Sequence, residues 1–147
     1  MGIPLNGGDA AEIARIPGDG IVGEMDVSHD GKYLAFPWEQ YSPAPTLWLG
    51  VVSSSSGALV RSMKAPPGVY RMERLHWSEN DSGLQYLLTR VGVTNLWEQP
   101  LSGTRPKQLT EFTSDRIFSF NWSLDHKRLL LARGNVTSDV VLFSNLK

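Results

Sequence analysis

Short apolar runs alternate with polar turns along this chain, and one turn phrase occurs three times. It lies at residues 27–36, 77–88 and 122–131, and its serines are 50 and 45 residues apart. In each copy an apolar run follows the serine-centred turn. Apolar runs on either side of a tight polar turn are typical of a β-hairpin. The pattern therefore predicts three hairpins at a nearly regular interval.

The residues inside the turns differ among the three copies. Asp30-Gly31 is the strongest turn signal, because glycine adopts positive φ without steric cost. We expect Ser82-Gly83 to do the same in the second copy, after an insertion of two residues. The third copy has His126 in place of the glycine. His126 is therefore expected either in an unfavourable conformation or in a different type of turn.

Two further strands complete each repeat. A third strand is predicted about 20 residues after the serine, around Trp48, Trp97 and Val141. A turn marked by glycine then leads to a fourth strand at 58–62 and at 106–110. Four short strands that recur roughly every 40–50 residues are typical of a propeller blade. We therefore predict an all-β fold made of β-propeller blades, each of four antiparallel strands, with about three blades per chain.

The two ends of the chain complement each other in this repeat. The third repeat stops after its third strand, and residues 3–16 resemble the end of a blade. The whole chain is predicted to be a single partial propeller domain, in which a blade built from both ends removes a free sheet edge. The blades are expected at about 22–64, 70–112 and 115–147, with residues 3–16 as the closing strand.

Composition narrows the chemistry but does not assign it. The net charge is −1 and the basic residues are scattered, so we expect no binding to nucleic acid. The absence of cysteine excludes disulfides, thiolate metal sites and a cysteine nucleophile. The sequence has no run of 18 consecutive apolar residues, so we expect no transmembrane helix. Its start lacks the basic and apolar regions of a signal peptide. Cytoplasm and periplasm both remain open.

The repeat resembles the TolB-like and WD-repeat-like propeller family. The region 108–142 also resembles the C-terminal part of bacterial multidomain proteins in which a propeller follows a winged-helix regulator or a serine/threonine kinase domain. The proline of the family phrase is absent here, since His29, Glu79 and Leu124 occupy its position. The resemblance implies a binding scaffold without shared catalytic residues. Its motifs are Trp77-Ser78, Ser28-x-Asp30-Gly31-Lys32, Trp122-Ser123, Leu47-Trp48, Leu96-Trp97, Leu5-x-Gly7-Gly8 and Leu109-Thr110.

The histidines offer the only candidate chemistry. His76 occupies the repeat position of Asp26 and Asn121, and a ring of these three near a propeller axis would suit a small ligand or ion. The alternative is that each residue is satisfied within its own blade. His29 and His126 fall in the turns of different blades. Hydrolase, phosphate-loop and EF-hand motifs are absent, so we predict no catalytic residue, no metal and no cofactor.

Aromatic and charged residues in the loops define a candidate binding face. Trp48, Trp77, Trp97 and Trp122 recur with the repeat and are expected in the core between blades. Trp38 does not recur, and we place it with Tyr41 on a long loop. The loops on one side of a propeller would gather aromatic, arginine and acidic side chains at the channel mouth. These residues are Trp38, Tyr41, Tyr70, Arg71, Arg90, Asp115, Arg116, Arg133 and Asp139.

The sequence leaves several functions open. The first is a non-catalytic scaffold for protein interaction or sensing within a larger bacterial protein. The second is a propeller that binds a small ligand or ion, or the accessory propeller of a peptidase. The third is a purely structural part of a larger ring. Because propellers typically have about 4–8 blades, three blades favour a homodimer that closes a six-bladed ring.

Overall fold

The computed structural model describes residues 2, 6–16, 20–41, 43–66 and 75–138. Within these ranges every helix or strand assigned is a β-strand, and all strand pairings are antiparallel. The predicted all-β fold is confirmed. No helix in the described ranges is long and apolar enough to cross a membrane.

The first sheet contains five strands. Its central path runs β1, β3, β4, β5, and β2 pairs with β3 beside β1. The strands are β1 (Ile21–Val22), β2 (Asp26–Val27), β3 (Tyr33–Gln40), β4 (Thr46–Ser53) and β5 (Leu59–Lys64).

The second sheet is a four-stranded meander in chain order. Its strands are β6 (Leu75–Trp77), β7 (Gly83–Arg90), β8 (Val93–Pro100) and β9 (Lys107–Gln108). Only Val91 and Gly92 separate β7 from β8, with φ of 49° and 80°. Two consecutive positive φ values are what the tight type I′ hairpin turn requires.

The third sheet pairs β10 (Arg116–Trp122) with β11 (Leu129–Gly134). The register shifts between Ile117 and Ser119, which places a bulge at Phe118. The three sheets lie within the ranges expected for the three blades. The predicted strand in 139–147 lies outside the described residues.

The sheets pack against one another through their faces. Leu49 and Val51 of the first sheet share a buried cluster with Trp77, Leu84 and Tyr86 of the second. Tyr86 is fully buried, and this burial raises the pKa of its hydroxyl. The third sheet continues the stack, because β10 contacts β8. One buried cluster therefore joins the first two sheets, and the third sheet lies against the second.

The remaining face of the first sheet is covered by residues near the start of the chain. Ala14 and Ile16 pack against Phe36, Trp38 and Val52. Of the segment expected as a closing strand, residues 3–5 lie outside the described residues. In the described part, Ala11 pairs with Gly2 in an isolated bridge, and the remainder of 11–16 forms no strand.

The loop position predicted for Trp38 is wrong. Trp38 lies inside β3, pairs with Trp48 across the sheet, and is 8% exposed. Its ring stacks on that of Trp48 with 5.8 Å between centroids. Pro37 lies opposite the interruption between β1 and β2, where a strand accommodates proline.

Candidate functional site

One serine hydroxyl organises each of the three hairpin turns. In the first turn, Ser28 Oγ accepts a hydrogen bond from the Tyr33 amide at 2.9 Å and donates to Asp30 Oδ1 at 2.9 Å. The other two turns repeat both bonds. Their partners are Gly83 and Asn80 for Ser78, and Arg128 and Asp125 for Ser123.

The repeated bonds show that the three turns have one length. The expected insertion in the second turn is therefore wrong, because Asn80 takes the part of Asp30 and accepts from the Ser82 amide. The left-handed residue of that turn is Asp81, with φ 54°, and not Gly83. His126 has φ 52°, so the expectation of an unfavourable backbone is confirmed.

The tips of the three turns converge in one cluster of side chains. Asp81 accepts from the His29 amide at 3.1 and 3.2 Å, and its Oδ1 lies 2.7 Å from His29 Nδ1. The His29 ring meets the His126 ring edge-on, with 5.1 Å between centroids. We call His29, Asp81 and His126 the turn-tip cluster. Sequence reasoning missed it because the two histidines occupy different positions within the repeat.

A second histidine–aspartate pair joins the first two sheets. His76 Nδ1 lies 3.3 Å from Asp26 Oδ2, which also accepts from the Trp77 amide at 3.0 Å. The Trp77 indole donates to the Asp26 carbonyl at 3.2 Å. Partial burial alone would raise the pKa of Asp26. The hydrogen bonds from His76 and from backbone amides outweigh burial and hold this pKa below its ordinary value.

The hypothetical ring of three polar residues is only partly formed. Asp26 and His76 meet across two sheets, whereas Asn121 accepts a hydrogen bond from the amide of its neighbour Trp122. The His76 ring also meets Phe120 edge-on at 4.9 Å. His76 Nε2 is buried and has no hydrogen-bond partner. Asp26 and His76 thus connect the first sheet to the second.

Part of the predicted binding face comes together around Asp115. Arg133 lies 3.2 Å from the Asp115 carboxylate and donates to the Ser114 carbonyl at 2.7 Å. Its guanidinium also lies 4.2 Å from the centre of the Phe112 ring. The Thr94 amide donates to the Asp115 carbonyl at 3.1 Å, which joins this loop to the β7–β8 hairpin.

The other predicted face residues are dispersed. Arg116 is exposed at the start of β10, and the Arg90 guanidinium lies 5.0 Å from the centre of the Trp97 ring. Tyr41 is 42% exposed and donates to Glu39 at 3.0 Å. Trp38 is buried and contributes no side chain to this face. Tyr70, Arg71 and Asp139 lie outside the described residues.

Residues of the described ranges line clefts between neighbouring sheets. One, of about 310 Å³, lies between the second and third sheets, where Trp122 donates to Gln85 at 2.7 Å and Gln85 donates to Glu98 at 2.9 Å. Another, of about 210 Å³, borders the first two sheets beside Trp77 and Arg61. No serine hydroxyl in the described ranges forms a hydrogen bond to a histidine.

Comparison with known proteins yields a fold and no family. No protein-family model matches the chain, and no curated protein matches it. The solved structure of AtxE2 isopeptidase in its apo form is similar, with a TM-score of 0.53 and 18% sequence identity. The match covers 76% of this chain and 21% of the isopeptidase, so this chain spans about a fifth of that protein. At this identity the likeness concerns the fold alone.

Proposed function

We propose that this chain is a non-catalytic β-propeller scaffold for protein interaction, in which each sheet is one blade. Three observations support the proposal. The sheets pack in sequence order, the same turn recurs in each, and the tryptophans Trp77 and Trp122 hydrogen-bond to the preceding sheet. The TolB-like resemblance of the repeat points the same way.

The observation that carries this function is the exposure of apolar side chains on one face of the third sheet. Leu130 is 58% exposed and Phe118 is 47% exposed. Phe118 lies over Gly134, so both apolar side chains share the face opposite the buried Phe120. Exposed apolar patches of this kind mark interaction sites, because contact between water and apolar surface is unfavourable and association removes that surface from water.

The occupant we infer is a second copy of the chain. Two copies would supply six blades, which lies within the usual range for a closed ring. The chain's own sheets already pack on each other by their apolar faces, so the same surface chemistry extends between copies.

Light scattering on size-exclusion chromatography tests this proposal. We expect twice the chain mass of 16.3 kDa. Phe118→Glu and Leu130→Glu place a charge on the apolar face and are expected to give monomers. Leu124→Glu is the matched control, because Leu124 is fully exposed in the turn of the same repeat and off this face. A monomeric wild-type chain would refute the homodimer.

A second candidate is the accessory propeller of a peptidase, which the likeness to AtxE2 isopeptidase favours. In that case the apolar face would pack on another part of the parent protein. The same scattering experiment separates the two candidates, since an accessory propeller would be monomeric alone. The coding sequence of the parent would then specify a hydrolase domain.

A further inference from the structure

We propose that the turn-tip cluster binds one divalent transition-metal ion of the Zn²⁺, Ni²⁺ or Cu²⁺ class. His29 and His126 would be the two protein ligands, and Asp81 would orient His29. The site lies within one chain and goes beyond the scaffold function. Its test therefore gives an answer whether or not the chain forms a dimer.

The contact between Asp81 and His29 prepares one ligand. Asp81 Oδ1 lies 2.7 Å from His29 Nδ1, so the carboxylate would favour the tautomer that carries its proton on Nδ1. Nε2 is then left with a free lone pair. Histidines that bind metal commonly donate their other ring N–H to a carboxylate in this way, which fixes the tautomer and the ring orientation.

The spacing of the two rings suits a shared ion. Imidazole nitrogen binds Zn²⁺ at about 2.0–2.1 Å, so two imidazoles on a tetrahedral ion have ring centres about 5 Å apart. The observed separation of His29 and His126 is 5.1 Å. The His29 side chain is 44% exposed, so an ion can reach the pair from solvent.

The backbone conformation of Asp81 and His126 also supports a role for their side chains. Asp81 and His126 occupy the left-handed position that Gly31 occupies in the first turn. Glycine has the lowest conformational cost at this position, so two of the three turns depart from the residue that local structure prefers most. Both departing side chains meet at His29. Local rules are most often broken where a side chain has a further role.

The described ranges contain no set of three or more histidine, aspartate and glutamate side chains arranged to hold a metal. In the proposed site two histidines supply the protein ligands, and water completes the coordination. Such an ion would link the turn of the first sheet to that of the third across the tip of the second. Metal binding would then stabilise the stack of sheets.

Isothermal titration of the tag-free chain with ZnCl₂ alone, and separately with NiCl₂ alone, tests the site. We expect one ion per chain and a rise in Tm on addition of metal. His29→Asn and His126→Gly should each abolish both effects. His126→Gly also relieves the left-handed strain, so its metal-free Tm should equal or exceed that of the wild type, which separates loss of the site from loss of the fold.

Two more variants sharpen the assignment. Asp81→Asn should weaken affinity about 10- to 100-fold, as expected for a group that orients a metal-bound histidine. Asp30→Asn changes a neighbouring carboxylate outside the cluster and should leave affinity unchanged. Absence of metal binding by the wild type, or binding that survives in His29→Asn or His126→Gly, would overturn the proposal.

Discussion

A serine hydroxyl is the smallest unit that explains the repeat. In all three turns the hydroxyl accepts a hydrogen bond from the backbone N–H five residues later. It also donates a hydrogen bond to the side-chain oxygen of the Asp or Asn two residues later. The bonds are alike, but their surroundings differ. Ser78 is 5% exposed, whereas Ser123 lies partly in solvent.

This difference in burial predicts different costs for the same substitution. Ser78→Ala leaves the buried Gly83 amide without a partner, and we expect a loss of about 1–3 kcal/mol in the free energy of unfolding. Ser123→Ala exposes the Arg128 amide to water, and we expect about 1 kcal/mol or less. Urea denaturation measures both, and equal losses would contradict the argument.

Asp30 gives the first turn a pH dependence. Hydrogen bonds from the Lys32 side chain, the Lys32 amide and Ser28 lower the pKa of Asp30 from 3.8 to about 2. A lowered pKa contributes stability that is present above the unfolded value and is lost as the carboxylate becomes protonated. We expect the midpoint of unfolding to decrease as the pH is lowered from about 4 to about 2. Asp30→Asn should flatten this part of the profile, and an unchanged profile would exclude Asp30 as its source.

At the level of elements, the sequence predicts what is local. The alternation of apolar and polar residues predicts the strand pairs, and the glycines mark most turns. The pattern fails where contacts from elsewhere decide. Trp38 does not recur with the repeat and was placed on a loop, yet the apolar face around it is buried by Trp48 and by Ile16, so the strand continues.

The same limit applies to the candidate sites. The pairing of His29 with Asp81 joins residues 52 positions apart, and no spacing rule within a repeat predicts it. Asp115 and Arg133 were predicted on one face because the repeat assigned both to loops on the same side, and they form an ion pair although Arg133 lies in β11. The repeat predicts which residues occupy equivalent places in different sheets. Contacts between residues at different repeat positions depend on how the sheets pack.

Gly57 lies in close contact with the segment near the start of the chain that covers the first sheet. A Cβ there would lie 2.0 Å from the Ile13 carbonyl oxygen, whereas a Cβ on Gly103 would meet nothing. Both glycines have positive φ, 69° and 83°. Alanine should therefore cost about 1–2 kcal/mol at Gly103 and more at Gly57. Only Gly57→Ala should increase acrylamide quenching of tryptophan fluorescence, and equal behaviour of the two variants would argue against the close contact.

At the scale of the whole molecule, each sheet buries one face on its neighbour, and the stack has two terminal faces. Ala14 and Ile16 cover one of them, and the apolar side chains of Phe118 and Leu130 are exposed on the other. The sequence predicts the number of repeats, but the curvature of the stack depends on side-chain packing between sheets. The blade count and the closed ring therefore stay predictions.

The salt dependence of association distinguishes the apolar face from the loop face as the contact between copies. Burial of Phe118 and Leu130 is a hydrophobic interaction, which salt does not screen. A contact through Arg116, Arg133 and acidic partners would be screened, since the Debye length falls from about 10 Å at 0.1 M to about 3 Å at 1 M salt. We therefore expect the dimer Kd from analytical ultracentrifugation to be unchanged or smaller at high NaCl. A marked increase in Kd would instead assign the contact to the charged loop face.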